Sequence, residues 1–330
     1  MKITKIDPLC TPEILEKSKN LLFQNIPEIF FPNPRVARRV LTKNPPKNNI
    51  GEYLSSILSQ NPSFSICDEE DALLVGILEP MKFESSIFKK NMFSLKLHEN
   101  KRKNLSSSEK NEFVAEILDF SRKHGIDHIS CKLLAEKIDL AQSLETSGFL
   151  ITSNLITYLF VLGATRLPNW RPRYPVRRAL PDEKEKILEL AWKSFRGTRF
   201  YNDPTLNNDQ CDELYLEWVR NCFDSGWASA IFVAENSKKD IVGFFTYLID
   251  PRTKEFFGIV KGGGGISACS PEAKGAYFSL LESSIKDVPK VNGFLGEFTT
   301  QSENNEVIRI FQKFGLEFGK SEFVFHKGLK

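Results

Sequence analysis

At 330 residues, with 41% apolar and 12% aromatic side chains, the chain has material for about two domains with real cores, which excludes wholesale disorder. A net charge of +3 and a pI near 8.4 are too mild for nucleic acid to be the main partner. The six cysteines (Cys10, Cys67, Cys131, Cys211, Cys222 and Cys269) form no C-x-x-C pair, so reduced thiols are expected rather than disulfides or zinc ligands. The histidines are His98, His124, His128 and His326, and none falls in a metal-ligand pattern. His124 and His128 have i,i+4 spacing, but Gly125 between them ends a helix, so no metal site is expected.

In chain order, "MKITKIDPLC" lacks the apolar core of a signal peptide, and a helix starts near Glu13. "ALLVGILEP" (72–80) follows the acidic turn "CDEED" and is expected to be a strand; "HISCKLL" (128–134) is another. "AQSLETSGFLITSNLITYLF" (141–160) predicts a short amphipathic helix stopped at Gly148, then a strand rich in β-branched and aromatic residues. Its apolar run "LITYLFVLGA" is far too short to cross a bilayer, so a soluble, cytoplasmic protein is expected, with no membrane partner. "TRLPNWRPRYP" (165–175) is rich in proline and arginine and suits an extended linker.

Beyond the linker the pattern returns. "DIVGFFTYLIDP" (240–251) matches the first Val-Gly strand, "LGEFTTQ" (295–301) matches "HISCKLL", and "IRIFQKFGLEFGKSEFVFHK" (308–327) matches the helix-Gly-strand segment. Gly76 and Gly243 are 167 residues apart, and so are Gly148 and Gly315. Three matches at one gap-free offset indicate a tandem duplication: a lobe over 1–164, the linker 165–175 and a lobe over 176–330. Each half runs helix, three strands, helix, strand, helix, strand. That order predicts an α/β fold of the α+β type, a mixed, largely antiparallel sheet flanked by helices. Further helices start near Asp182 and Glu272.

The second half resembles the GCN5-related N-acetyltransferase (GNAT) superfamily, and within it the sugar-nucleotide amine acetyltransferases typified by dTDP-fucosamine acetyltransferase. The resemblance runs from about Val176 to Leu329. It rests on "SFRGTRFYNDP" (194–204), "ELYLEWVRNC" (213–222), "SPEAKG" (270–275), "NNEVIRIFQKFGL" (304–316) and "EFVFHK" (322–327). It implies acetyl-CoA as cosubstrate and a small amine as acceptor, with a nucleotide-linked amino sugar of surface polysaccharide as one such amine. Direct attack of the neutral amine on the thioester is the implied chemistry, in a monomer or homodimer.

"ISACSPEAKGAYFSLLESSI" (266–285) reads as a strand, a small-residue turn and a helix N-terminus, which together suit an anion. The resemblance makes Lys274, Gly275, Ala276 and Tyr277 a pyrophosphate cradle. It makes Ile266, Ala268 and Cys269 part of a strand that polarises the acyl carbonyl and Asn304 a contact for the cofactor arm. Glu297, in the following strand, could act as a base through water or simply face solvent. Arg196, Arg199, Tyr201 and Asp203 form a polar, aromatic loop suited to a phosphorylated substrate, or to plain solvent exposure. Tyr215 and Trp218 are expected in the core.

Two departures matter. Tyr277 and Phe278 stand where the family's loop commonly has small residues, which leaves a shorter cradle with Tyr277 already on the helix. Phe311 stands where the family has the tyrosine that protonates the departing thiolate, and a phenyl ring has no proton to give. In the first half the same offset places "SSSEK" (106–110), without glycine and with Glu109 at the phosphate position, and Leu144 at the position of Phe311. The first lobe is therefore expected to hold no cofactor. Alternatives to an acetyltransferase are a non-catalytic GNAT-like ligand- or partner-binding protein, or a tandem-lobe acyl- or aminoacyltransferase with a different donor.

Overall fold

A computed structural model describes residues 2–6, 12–31, 34–47, 49–167, 169, 171–192, 194–287 and 293–330; Cys10 and two residues of the expected linker, Pro168 and Trp170, lie outside them. The elements of the first half are β1 (Lys2–Ile6), α1 (Pro12–Gln24), α2 (Ile26–Phe30), α3 (Pro34–Lys43), α4 (Ile50–Gln60), β2 (Ser63–Cys67), β3 (Ala72–Pro80), α5 (Lys82–Phe88), β4 (Met92–Glu99), α6 (Ser107–Lys123), β5 (His128–Leu134), α7 (Ile138–Thr146) and β6 (Leu150–Val161). Those of the second are β7 (Val176–Arg178), α8 (Lys184–Ala191), α9 (Asn208–Asp224), β8 (Ala230–Glu235), β9 (Ile241–Asp250), α10 (Pro251–Phe257), β10 (Val260–Cys269), α11 (Ala276–Asp287), β11 (Gly293–Gln301), α12 (Asn305–Lys313) and β12 (Glu317–Gly328). At the 167-residue offset α7 falls on α12 and β6 on β12, end for end.

The chain forms two compact units whose limits differ from the expected break at the linker. One comprises Met1–Leu155, Asn202–Leu206 and Lys320–Lys330; the other comprises Ile156–Tyr201 and Asn207–Gly319. The reason lies in the long strands β6 and β12, each of which contributes its first and second parts to different units. In the first unit the strand order is β1-β2-β3-β4-β5 and then β12, antiparallel except for β4 against β5. In the second, β7-β8-β9-β10 are antiparallel, β10 and β11 are parallel, and β6 follows β11.

Alternation along the central strands divides the side chains between helices on two faces. In the first unit Leu74 and Leu78 of β3 meet Phe113, Ile117 and Leu144, while Val75 and Ile77 meet Leu21, Leu54 and Leu58. In the second unit Phe245 and Tyr247 of β9 pack with Leu280, Leu281 and Phe311, while Phe244 packs with Ile187, Leu188 and Val219. The glycine shared by the repeated strands has one physical reason in both. A Cβ on Gly76 would lie 2.9 Å from Ile117 and 3.1 Å from Phe113 of α6; on Gly243 it would lie 2.7 Å from the Cys269 sulfur and 3.2 Å from Leu280 of α11. Each helix approaches its sheet only because that side chain is missing.

The expected helix "KEKILELAWKSF" ends sooner than its pattern suggests. α8 stops at Ala191, and Trp192 turns to an extended conformation and is exposed. Its start is fixed by Glu183, whose carboxylate accepts the Leu180 N–H and two guanidinium N–H groups of Arg177. Those bonds, chiefly from Arg177, draw the Glu183 carboxyl from the usual 4.5 to about 2. A depressed carboxylate stabilises the fold above its unfolded pKa and loses that contribution as pH falls through the folded one. Glu183→Gln is therefore expected to lower stability at pH 7 and to flatten the loss of stability between about pH 4.5 and 2. Urea unfolding across that range checks this, and an unchanged acid limb would remove Glu183 from the account.

Candidate functional site

β10 pairs with β11 only from Val260 to Gly263, whose partners run from Gly293 to Glu297; beyond Gly263 no β11 partner follows. On the other side β10 stays with β9 through Cys269, with a register shift between Gly264 and Ser267. At that shift Thr246 takes the place of the ladder: its Oγ1 accepts the Ile266 N–H at 2.8 Å and donates to the Ile266 carbonyl at 3.0 Å. Ser270 N–H also points to β9, donating to the Val242 carbonyl at 2.9 Å. Backbone groups alternate in direction along a strand, so the N–H groups of Ser267 and Cys269 face the side where β11 has left.

This geometry corrects part of the expected polarising set. Ile266 cannot offer its N–H to an acyl oxygen because Thr246 holds it. The side chains of Ile266 and Ala268 are buried against Ile187, Val219 and Phe244. Of the expected residues Cys269 has its N–H on the open side, and so has Ser267. The sequence hid Ser267 because the register shift, not the residue type, decides which amides face the opening. Burial pushes the Cys269 thiol up to about 12, so it is a neutral, small side chain and no nucleophile.

The cradle begins where β10 ends. Ala273 N–H donates to the Ser270 carbonyl at 3.0 Å, and Ala276 N–H to the Ala273 carbonyl at 2.9 Å. Gly275 sits at φ +91, a left-handed conformation that side chains resist, and α11 starts at the next residue. The helix thus opens at Ala276, four residues later than the expected start near Glu272. Lys274 and Gly275 are exposed, whereas Ala276 is fully buried beneath them. Arg173, read from the sequence as linker, brings its guanidinium here and donates to the Lys274 carbonyl at 3.2 Å. Two cationic side chains therefore stand at one helix N-terminus.

Tyr277 is on the helix, as the shorter cradle requires. Its half-buried ring lies 6.2 Å from that of Phe245 and 6.4 Å from that of Phe311. Burial, and secondly the neighbouring Cys269, push its phenol well above the usual range, so it keeps its proton. Phe311 is fully buried, between Tyr158 at 5.4 Å and Phe298 at 6.2 Å. Asn304 caps α12, its side-chain oxygen accepting the Val307 N–H at 3.3 Å. Glu297 faces Lys261, with Nζ 3.3 Å from its carboxylate, so the expected base is held in an ion pair.

The substrate loop divides. Arg196 is exposed, the Arg199 guanidinium lies 4.5 Å over the Phe200 ring, and the Tyr201 hydroxyl donates to Asp212. Tyr215 stacks on Phe195 at 4.7 Å and on Trp218 at 6.4 Å, as core residues do. These belong to the second unit. Asp203 belongs to the first, is 3% exposed, and is no open anchor for an amine. Its Oδ2 lies 2.7 Å from His128 Nε2 and 2.8 Å from His326 Nδ1, and its Oδ1 accepts the Thr205 N–H and hydroxyl. Sequence spacing could not show this trio, since its two histidines are 198 residues apart.

In the first lobe the helix equivalent to α11 opens with a capping box. Ser106 caps α6 by accepting the Glu109 N–H, and the Glu109 carboxylate accepts the Ser106 N–H at 2.8 Å. The protein's own carboxylate fills the position.

The fold so described is that of the GCN5-related N-acetyltransferases, in tandem. The chain is similar to a GCN5-related N-acetyltransferase from Sphaerobacter thermophilus, with a TM-score of 0.56 and 12% identity, covering 83% of this chain and 82% of that one. It is similar over nearly its whole length to a tandem GNAT protein of the clavulanic acid biosynthesis pathway, with a TM-score of 0.54, 11% identity and coverage of 99% and 98%. In sequence it is similar to the spore coat polysaccharide biosynthesis protein SpsD of Bacillus subtilis, 26% identical over 293 residues, which are 86% of this chain and 96% of that protein. No family model matches the chain. Among the described residues, no helix is long and apolar enough to cross a membrane.

Proposed function

We propose that the chain is an acetyl-CoA-dependent N-acetyltransferase whose acceptor is the amine of a nucleotide-linked amino sugar destined for polysaccharide. The observation that carries this reading is the opening of β10 from β11 beside the N-terminus of α11. The opening is lined on one side by the amides of Ser267 and Cys269. A pantetheine arm needs such a gap, and a pyrophosphate needs such a helix end. Polysaccharide is suggested by the similarity to SpsD, a spore coat polysaccharide biosynthesis protein, and a phosphorylated acceptor by the exposed arginines Arg196 and Arg173.

Acetyl-CoA supplies the acyl group as a thioester. The amides of the first turn of α11 past Ala276 and the side chains of Lys274 and Arg173 would hold its phosphates. The Ser267 and Cys269 N–H groups would donate to the acyl oxygen as it gains charge. Phe311 cannot protonate the leaving sulfur, so we assign that step to Tyr277, a neutral phenol near Cys269 and the Phe311 ring, whose proton would be replaced, through water, by the one the attacking amine loses. Glu297 is left as a charge partner of Lys261 rather than a base.

Calorimetric titration with acetyl-CoA tests the reading: micromolar or tighter binding is expected, with turnover on an amino-sugar nucleotide. Absence of both heat and thermal stabilisation at high ligand would sink it. Binding without turnover on any amine would favour a ligand-binding protein on the same fold.

A further inference from the structure

The cluster of His128, Asp203 and His326 lies in the first unit and has no part in the acyl-transfer reading. His128 opens β5 and His326 lies near the end of β12. The strands are antiparallel, with Gly328 opposite His128 and His326 opposite Ser130, so the two imidazoles stand two residues apart on one face. Asp203 reaches that face from the turn 202–206. All three side chains are at most 2% exposed. Their ligand atoms lie within 4.8 Å of one another, and no other histidine, cysteine or acidic residue among those described joins the group.

We propose that these three residues form a zinc site, with His128 Nε2, His326 Nδ1 and Asp203 Oδ2 as ligands and a water as the fourth. Two nitrogens and one carboxylate oxygen are a donor set that suits zinc. Both nitrogens converge on the same carboxylate oxygen, at 2.7 and 2.8 Å. The other oxygen is fixed by Thr205, whose N–H lies at 2.9 Å and hydroxyl at 2.7 Å, the outer support that orients a ligating carboxylate. Charge points the same way. The Asp203 carboxylate is buried, and a divalent cation compensates a carboxylate's charge in the core.

Loading the site needs the nitrogen–oxygen edges to open and the two nitrogens, within 4.8 Å of each other, to settle at the tetrahedral spacing. Tetrahedral zinc with ligands at about 2.0–2.2 Å sets ligand atoms roughly 3.3 Å apart, so each nitrogen–oxygen edge would open by about half an ångström. Each ligating nitrogen must present a lone pair, which puts the ring proton on the other nitrogen. For His128 that is Nδ1, which is buried without a hydrogen-bond partner. A missing acceptor at that position weakens metal affinity by about 10–100-fold, so the zinc is expected to yield to a strong chelator.

The test uses tag-free, full-length protein purified without chelator. About one zinc per chain is expected by elemental analysis. Chelation should lower the unfolding temperature and added Zn2+ restore it. Cobalt(II) added to the stripped protein should give visible absorption bands that vanish in H326Q and D203N. If those variants do not fold, the metal content and cobalt spectrum of the unaltered protein still decide. Substoichiometric zinc after incubation with Zn2+ and dialysis, without a thermal shift or cobalt bands, would overturn the proposal and leave a hydrogen-bonded triad.

Discussion

Tyr277→Phe is expected to lower the rate of acetyl transfer on the order of 100-fold while leaving acetyl-CoA affinity within a factor of about two. General-acid assistance contributes about 100- to 10,000-fold when the leaving group needs a proton, and the lower end suits a thiolate, which leaves more readily than an alkoxide or amide anion. The phenol is the part that is lost. The ring, which packs near Phe245 and Phe311, remains, so binding and stability should persist. Steady-state rates at saturating acetyl-CoA, set beside calorimetric affinities, separate the two quantities. An unchanged rate in the variant would show that water or another group protonates the sulfur.

The companion change Phe311→Tyr should bring no gain if Tyr277 already serves. It should instead cost stability. The Phe311 side chain is 0% exposed, and a hydroxyl placed there without a partner costs about 1–3 kcal/mol. A faster variant would mean that the position on α12 still addresses the sulfur and that the acid had simply been lost.

Gly275→Asp is expected to weaken acetyl-CoA binding by on the order of 100-fold or more. The residue sits at φ +91, so any side chain strains the turn that leads into α11. The carboxylate would add an anion where the ligand's own phosphates must lie. The strained turn should also cost about 1–3 kcal/mol of stability, so affinity is compared well below the unfolding temperature of the variant. In the first lobe a carboxylate, that of Glu109, already stands at the equivalent helix end. Full affinity in the variant would place the pyrophosphate elsewhere.

Much of this was legible in the order of residues. The offset of 167 residues located the duplication, since a helix ended by glycine and followed by a β-branched strand is a local pattern set by backbone conformation and period. The turn before α11 was legible for the same reason: Ser270 to Ala276 are contiguous, and a turn before a helix is decided by its own residues. The absence of glycine from 106–110 was visible too, whereas the capping box there appears only in the bonds between Ser106 and Glu109.

What depended on partners far away in the chain was not legible. Ile266 seemed a donor until the register shift handed its N–H to Thr246, 20 residues earlier. Arg173 seemed linker until folding set it against Lys274, 101 residues on. Asp203 seemed part of a substrate loop, and the fold buried it between two histidines. By itself the sequence determined the repeat, the strand-turn-helix of 266–285 and the missing tyrosine, because each is written in neighbouring residues; the limits of the two compact units were not, since β6 and β12 are each divided between them. Only the tertiary structure decided which amides face the gap, which phenol stands near Phe311 and which side chains meet at Asp203. Strand register and packing join residues by distance in space, which no local period encodes.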